Sequence, residues 1–463
     1  MCELYSPEVT EKQLSKAMAT QDRAFYTLPH ELNKAIALFI ENDIDLCSYQ
    51  LVCKQTYYAV NSDQSVWRER FLGLFERVPI DSNFKTKYQV RRKILRAGAT
   101  FTGGYTKKER KCLLVIRELI LGSCAYKDKR NEVASLNYDR LLSFCLSTNI
   151  LKDVLLGGNM KPDPLLAITQ LLLTPWCLEL NLNFPTWSFP NSQQAAYLDS
   201  KVPEGQIFQG RNNQRVNAEW LLHISNFFKY HMTREEEYSL FEEFDSLDPS
   251  EKPKMWTGRL GDVPGLAKCW KGSYAFLDAT DVTYLRRTQF ISTDIFIDNM
   301  DGFQTMILDP IANVPVAVKL LFELFDRSSS AGKGIERSVA KEMDRNALYF
   351  ESSGYDHHPF DACIRVHPLP PQQGFPGWQR FSMVKYFHDP TSSNPFVDDL
   401  WAYEGCVLPG GEMILGRWFY LDPNLPASGA GVSFAGSGPY SGPFIFWKTP
   451  NGPCPEALTQ AQE

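Results

Sequence analysis

The chain has 463 residues, of which 44% are hydrophobic and 13% aromatic, and its formal net charge is −6. This length predicts two or three domains rather than one. The hydrophobic content is sufficient for packed cores, which excludes a disordered protein. The mildly acidic balance argues against nucleic acid as the main partner, because phosphate binding requires a basic surface.

The cysteine pattern and the apolar runs narrow the choice of compartment. Eleven cysteines are present and none forms a C-x-x-C pair, so we expect neither a metal site nor another cofactor. An odd number of scattered cysteines is typical of reduced thiols, which predicts a protein of the cytoplasm and/or the nucleus. The most apolar run, PLLAITQLLLTPWCL, is shorter than the ~20 residues that a bilayer requires, and the N-terminus lacks the apolar segment of a secretory signal. We therefore expect no membrane association.

The N-terminal stretch LPHELNKAIALFIENDIDLCSYQLVCKQTYYAV begins at Leu28 and contains three short segments with helical character. Pro29 suits a first helical turn, because its missing N–H has no intrahelical partner there. Leu32, Ile36 and Phe39 then recur at helical spacing and form an apolar stripe. A unit of about fifty residues buries too little surface to be stable on burial alone. The surplus apolar surface therefore predicts docking, either on a partner or on the rest of the chain.

Helical spacing continues through the middle of the chain. KERKCLLVIRELILG places Leu113, Ile116 and Leu119 on one face. NAEWLLHISNFFKYHM shows the same spacing with Trp220 and Phe227. We therefore predict a helical middle region.

After about residue 250 the pattern changes to the period-2 alternation of strands. CWKGSYAFLDA, FSMVKYFHD and GPFIFWKTP are predicted as strands, and LWAYEGCVLPGGEMILGRWFY as a hairpin with its loop at Pro409-Gly410-Gly411. DIFIDNMDGFQTMIL is predicted as two strands joined by a turn at Asp301-Gly302. The alternation is interrupted in one segment, which is predicted as loop with some helix: FDRSSSAGKGIERSVAKEMDRNALYFESSGYD. Several strands with hairpin turns favour an antiparallel sandwich or barrel.

The N-terminal stretch resembles an F-box, with matching positions in order and the run LCSYQLVCKQTYY near its middle. The resemblance implies a three-helix domain that binds a Skp-family adaptor, which joins it to a cullin–RING ubiquitin ligase. An interface of about 800 Å² per partner is ordinary for such a complex. Some of the matching residues must instead hold the helices together, and the sequence does not separate the two roles. The residues implied as the interface or its direct support are Leu28, Pro29, Leu32, Ile36, Leu46, Leu51, Val52, Cys53 and Trp67.

The second half of the chain resembles a group of large fungal F-box proteins with a C-terminal substrate-recognition domain. The matching stretches are WKGSYAFLD, WAYEGCVLPGGEMILGRWFY and GPFIFWK, and CWKGSY is also similar to the first strand of lipocalin-like barrels. We therefore predict an α+β fold with an N-terminal three-helix F-box, a helical middle region and a C-terminal antiparallel β-barrel or sandwich. The resemblance of CWKGSY implies a lipocalin-like barrel. The predicted regions are a polar lead-in (1–25), an F-box domain (26–76), a helical linker region (77–250), a β-rich substrate-recognition domain (251–450) and a C-terminal tail (451–463).

These resemblances predict a substrate-receptor subunit of an SCF-type ubiquitin ligase, whose β-rich domain binds an unidentified protein substrate. Trp401, Arg417 and Trp418 are the candidate substrate-binding residues, because Trp and Arg are frequent at the centres of interfaces. The tryptophans also suit a barrel core, and Arg417 also suits a structural pairing with Glu404 across the hairpin. Both interpretations remain open at the level of sequence.

Known catalytic motifs are missing from the sequence. There is no G-x-S-x-G elbow, no P-loop frame and no H-E-x-x-H pair. We therefore expect a non-catalytic subunit, with catalysis in the ligase that it recruits. The alternative function is that of a small-molecule or lipid-binding β-barrel protein that uses its F-box for scaffolding.

Overall fold

A computed structural model describes residues 25–76, 83–127, 133–151, 161–185, 188–261, 265–287, 296–329, 335–387, 400–422 and 440–450. The predicted C-terminal tail, and all but the last residue of the predicted lead-in, lie outside these residues. The chain divides into two compact units, Met1–Gly98 and Ala99–Glu463. Each unit contains buried apolar side chains of its own.

The described part of the first unit is helical. The side chains of Asn42 and Asn83 each accept a backbone N–H at the start of a helix, which satisfies a donor that has no intrahelical partner. Aromatic side chains such as Phe71 and Phe75 are fully buried in its core. The helices include α1 (His30–Phe39), α2 (Asp43–Gln50), α3 (Lys54–Asn61), α4 (Ser65–Leu72) and α5 (Phe84–Ala97).

Asp43, the first residue of α2, links this helix to α4 and α5. Its carboxylate accepts hydrogen bonds from Arg70 at 3.0 Å, Tyr88 at 2.6 Å and Arg92 at 3.1 Å. Arg96 lies 3.0 Å from the same carboxylate. Burial raises the pKa of Asp43, but these donors outweigh burial and hold the pKa below its ordinary value. A charged hydrogen-bond network therefore joins these helices in addition to apolar packing.

Helices and two short strand pairs form the first part of the second unit. Thr106 and Glu109 make reciprocal hydrogen bonds at the start of its first helix, in the arrangement of a capping box. The helices include α6 (Lys107–Gly122), α7 (Leu136–Ser147), α8 (Pro164–Leu172), α9 (Thr174–Cys177), α10 (Phe189–Ala196), α11 (Ala218–Thr233) and α12 (Phe241–Ser246). The strand pairs are β1 (Tyr126–Lys127) with β2 (Val133–Ala134), and β3 (Phe208–Gln209) with β4 (Arg215–Val216).

The second part of this unit is a closed antiparallel barrel of eight strands, in which each strand pairs with the next and the last pairs with the first. This arrangement confirms the prediction of a mixed helical and sheet protein, and of the two predicted alternatives, barrel and sandwich, the C-terminal strands form the barrel. The barrel strands are β5 (Cys269–Phe276), β7 (Gln304–Pro310), β8 (Leu348–Asp356), β9 (His358–Pro368), β10 (Gln379–Tyr386), β11 (Leu400–Val407), β12 (Met413–Leu421) and β13 (Ser441–Lys448). The intervening elements are α13 (Ala279–Arg287), the short strand β6 (Asn299–Met300), α14 (Val316–Ser328) and α15 (Arg337–Arg345).

Alternate residues of each barrel strand face the interior, because successive side chains of a strand point to opposite faces. Trp270, Phe381 and Phe444 belong to the apolar cluster that fills this interior. On the outside, α14 packs through Phe322 and Phe325 against outward-facing residues of β9 to β12. The barrel therefore has an apolar core inside and a second apolar layer beneath a helix.

Inward-facing glycines make room for the interior rings. Gly405 and Gly416 lie opposite each other on β11 and β12. A Cβ atom at Gly405 or Gly416 would lie 2.8 or 2.5 Å from the Phe444 ring, and one at Gly416 would also lie 2.2 Å from the backbone oxygen of Glu404. The close approach of ring and backbone therefore requires glycine at these positions.

The predicted turn at Asp301-Gly302 is wrong, because β6 and β7 do not form a hairpin. Both lie on the same edge of β5, with Ala275 opposite Met300 and Gly272 opposite Gln304. The register shifts by one residue between these two pairs, so the Asp-Gly step is a bulge within one interrupted strand. The glycine has a φ of 75°, which a residue without Cβ adopts readily.

The predicted β11–β12 hairpin and the segment predicted as loop with some helix have different outcomes. The hairpin around Pro409-Gly410-Gly411 is confirmed as the connection between β11 and β12, with both glycines at positive φ. The segment predicted as loop with some helix contains α15 but also β8. The alternation of apolar and polar residues does not predict β8, because Ser352, Gly354 and Asp356 occupy inward positions that are usually apolar.

We expect Gly416→Ala to destabilise the barrel by about 1–3 kcal/mol, because overpacking a closed interior forces the ring or the backbone to move. Thermal unfolding of the full chain, followed by near-ultraviolet circular dichroism, measures the change. Gly265→Ala is the control, since a Cβ atom there meets the Leu348 side chain at an ordinary 3.6 Å. Equal melting temperatures for the two variants would contradict the close packing at Gly416.

Candidate functional site

Two apolar stripes on the N-terminal unit face solvent. On α1, Leu32 and Phe39 are 51% and 86% exposed, and they share one helix face with the half-buried Ile36. Ile44 of α2 is 68% exposed, and Leu51, directly after this helix, is 83% exposed. Large apolar side chains grouped on a surface in this way mark interaction sites.

The other predicted adaptor-binding residues near these stripes have intermediate or high exposure. Pro29, which precedes α1, and Val52, which follows α2, are exposed. Leu28 and Cys53 are half-buried. These four residues therefore have surface available for a contact.

Leu46 and Trp67 belong instead to the core of the unit, with 1% and 2% of their surface exposed. The Trp67 ring packs against the Tyr88 ring at 5.8 Å and lies 5.6 Å from the ammonium group of Lys85. These two residues support the helices and offer no contact surface. Packing thus separates the exposed residues from those that support the helices, a distinction that the sequence leaves open.

A cavity of about 380 Å³ lies at one end of the barrel, in the lower part of the range of about 300–1,000 Å³ that is usual for ligand pockets. Its rings meet at steep angles: Trp401 and Trp418 are 5.5 Å apart at 65°, and Tyr274 and Trp418 are 5.7 Å apart at 73°. The cavity therefore has flat aromatic walls with corners between them. These walls include Tyr274, Phe276, Phe387, Trp401, Tyr403 and Trp418.

The rim of this cavity reaches solvent. Asp278, Asp301 and Tyr440 line it and are exposed. Tyr274 donates a hydrogen bond to the Asp301 carboxylate at 2.9 Å, which ties one wall to the rim. The rim is therefore acidic, whereas the walls are apolar.

An ion pair lies at the inner wall of the cavity. The Lys385 ammonium donates hydrogen bonds to the Asp356 carboxylate and, at 3.4 Å, to the side-chain oxygen of Gln304. The Lys385 and Asp356 side chains are only 2% and 5% exposed. Three aromatic rings surround the ammonium, the closest being that of Phe360 at 4.3 Å. Burial lowers the pKa of Lys385, and the Asp356 carboxylate offsets part of this change.

Two of the three predicted substrate-binding residues line the cavity. Trp401 and Trp418 face inward, whereas Arg417 faces the outside of the barrel. Arg417 is 3% exposed, donates to a backbone oxygen at 2.7 Å and lies 5.0 Å from the Trp220 ring. It lies opposite Glu404 across the hairpin. The structure therefore does not bring Arg417 together with the two tryptophans.

Sequence reasoning missed Lys385 and Asp356. The sequence does contain a pattern that identifies Lys385. In FSMVKYF it follows Phe381 and Met383 at alternate positions, so its side chain points to the same side of the strand as theirs. A charged residue at a core position requires a partner and is therefore a candidate site residue. Asp356, however, lies on β8, and no local pattern connects it with β10.

No family model, curated protein or solved structure matches the chain. Among the described residues, no helix is long and apolar enough to cross a membrane. The same residues contain no group of three or more His, Cys, Asp and Glu side chains placed to hold a metal ion. The fold defines a mixed helical and sheet protein with a closed eight-stranded antiparallel barrel.

We expect Lys385→Met to destabilise the barrel by about 3–5 kcal/mol, because it leaves the Asp356 charge buried without its partner. Adding Asp356→Asn removes that charge and should recover most of the loss. Urea unfolding of the full chain, followed by near-ultraviolet circular dichroism, measures both variants.

Lys271→Met is the control for the loss of a lysine. Lys271 lies on the outward side of β5, with its ammonium 3.3 Å from the Glu251 carboxylate and both side chains partly exposed. We expect a cost of about 1 kcal/mol or less there. A double variant at Lys385 and Asp356 that is less stable than Lys385→Met would contradict the expected behaviour of the buried pair.

Proposed function

We propose that this chain is the substrate-receptor subunit of an SCF-type cullin–RING ubiquitin ligase. In this proposal the N-terminal unit docks on a Skp-family adaptor, and the barrel-containing unit binds the protein to be ubiquitinated. The observation that carries the proposal is the pair of exposed apolar stripes on α1 and α2, in a helical unit whose sequence resembles an F-box.

The distribution of exposure supports docking through a defined set of side chains. Leu32 and Leu51 are exposed while Leu46 is buried, so the unit retains a core and still presents apolar surface. Burying large apolar side chains supplies most of the free energy of a stable interface. Loss of a single exposed leucine therefore does not require loss of the fold.

The proposal assigns no catalytic site to this chain. Ubiquitin transfer takes place on the recruited ligase, which puts the protein in the cytoplasm and/or the nucleus. Trp401 and Trp418 are the candidate contacts to the substrate, because they line a cavity that reaches solvent. Arg417 has a supporting role, because its guanidinium is buried and bound within the chain.

We expect Leu32→Arg combined with Leu51→Arg to reduce binding to the Skp-family adaptor by at least about 100-fold, because each change places a charge in an apolar contact. Co-purification of the adaptor with the tagged full chain detects the loss, and calorimetry with purified adaptor measures it. The circular dichroism spectrum and melting temperature should stay close to those of the wild type, since both positions are exposed.

Leu114→Arg is the control, because Leu114 lies on α6 of the other unit and is 44% exposed. We expect it to leave adaptor binding unchanged. A wild-type chain that does not bind the adaptor would refute the ligase proposal. A double variant that binds as well as Leu114→Arg would refute the assignment of the interface to the two stripes.

A second candidate function is that of a small-molecule or lipid-binding barrel protein. The cavity favours it, because about 380 Å³ of space is lined mainly by aromatic side chains and reaches solvent at its rim. Closed barrels of eight strands are wide enough to hold one small ligand, as in lipocalins. This resemblance concerns the barrel type alone and leaves the choice of ligand open.

We expect naphthalene, a small apolar probe, to bind the full chain in this cavity, with Ala279→Trp abolishing the binding. Ala279 is the exposed first residue of α13 and lines the cavity, so a large side chain there blocks the space without entering the core. Equilibrium dialysis measures the bound probe. Val316→Trp, at the 72% exposed first residue of α14, is the matched control. No saturable binding to the wild type would exclude this second function.

A further inference from the structure

Among the described residues, the ammonium group of Lys385 meets fewer hydrogen-bond acceptors than it has donors. An ammonium carries three N–H donors. The described structure gives it two acceptors, the Asp356 carboxylate and the Gln304 side-chain oxygen. Lys385 lines the cavity, so the third donor is available to an oxygen atom placed there. A buried charged donor without a further acceptor is costly, and a ligand oxygen that meets it gains more than one that meets a neutral donor.

The charges around the cavity select against an anion. The Lys385–Asp356 pair carries no net charge, and both side chains are almost fully buried. Among the described residues that line the cavity, the other charged side chains are Asp278 and Asp301 at the rim. A ligand carboxylate beside Lys385 would therefore bring a further negative charge into the buried end of a cavity whose net charge is already negative. A neutral oxygen accepts the same hydrogen bond without this cost.

The walls of the cavity select a flat ligand. Trp401, Trp418 and Tyr274 present rings at 65° and 73° to one another, with 5.5 and 5.7 Å between their centres. An aromatic molecule can stack against one ring while its edge meets the face of the next. Offset stacking and edge-to-face packing are the two favoured arrangements of aromatic pairs. The size of the cavity restricts the ligand to a small molecule.

We propose that the barrel cavity binds a neutral, flat, mainly aromatic molecule whose carbonyl or hydroxyl oxygen accepts a hydrogen bond from Lys385. This inference rests on the second candidate function, since it names the class of ligand for the same cavity. It is independent of the adaptor-binding surface. Lys385 is the residue that sets specificity, and Asp356 positions it.

Three probes with the same ring system test the proposal on the full wild-type chain. Naphthalene has no oxygen, naphthyl methyl ketone adds a neutral acceptor, and naphthoate adds a carboxylate. We expect the ketone to bind about tenfold more tightly than naphthalene, as a hydrogen bond to a charged donor predicts. Naphthoate should bind at least about tenfold more weakly than the ketone. Equilibrium dialysis at neutral pH gives all three dissociation constants.

The double variant Lys385→Met, Asp356→Asn tests the source of this preference. We expect the ketone to lose its tenfold advantage over naphthalene, while naphthalene itself still binds. The control is Lys271→Met with Glu251→Gln, which removes a lysine–glutamate pair on the outward side of β5 and should retain the wild-type order. Thermal unfolding checks that each variant is folded, and the wild-type order of the three probes stands as a test even if a variant is not.

The possible outcomes separate this inference from the function on which it rests. If no probe binds the wild type, or if Ala279→Trp leaves the binding intact, both the ligand class and the second candidate function are refuted. If all three probes bind the cavity equally well, or if naphthoate binds best, the cavity binds small molecules but the assignment to a neutral acceptor is refuted. A ketone preference that persists in the Lys385→Met, Asp356→Asn variant refutes the role of Lys385.

Discussion

The hydrogen-bonded pairing of β13 with β5 is the contact on which the barrel and its cavity depend. It places Phe444 opposite Tyr274 and Lys448 opposite Trp270, and it removes the free edges that an open sheet would present. Closure creates an interior from which water is largely excluded, so each inward side chain must pack or find a polar partner there. Rings such as Phe444 fill most of this space, and the inward glycines of β11 and β12 let them approach the backbone.

Closure also accounts for the ion pair at the cavity wall. Lys385 and Asp356 lie on β10 and β8, with β9 between them. Lys385 is opposite Ala362 of β9 and Asp356 is opposite His358, so the two residues are also offset along the strands. The curvature of a barrel turns these side chains toward the same interior, and the long lysine side chain spans the distance over the Phe360 ring. Because both side chains are almost fully buried, each charge requires a partner there. The pair in turn gives an otherwise apolar cavity a fixed polar group.

Local features of the fold could be predicted from the sequence, whereas contacts between distant segments could not. The β11–β12 hairpin was predictable, because alternation and the Pro409-Gly410-Gly411 loop lie within one short stretch. Neither β8 nor the partner of Lys385 was predictable, because inward polar residues break the alternation and pairing across β9 has no local pattern. The same limit applies to the N-terminal unit. Helical spacing predicts apolar stripes, but it does not show which face packs inward. The packing of the helices leaves Leu46 buried and Leu51 exposed.

Helices cover part of the outer barrel wall. On the outside, α14 covers β9 to β12, and α11 contacts β12 and β13. Charged side chains beneath these helices already have partners: Arg365 donates to Asp326 at 2.9 Å, and Glu404 accepts from Ser329 at 2.9 Å. A ligand that competed for them would leave buried charges unpaired, and the buried environment of Arg417 imposes the same restriction. The inner face at the cavity end has both exposed rim residues and a polar group with donor capacity, which is why the proposed binding of a protein or of a small molecule is assigned to it.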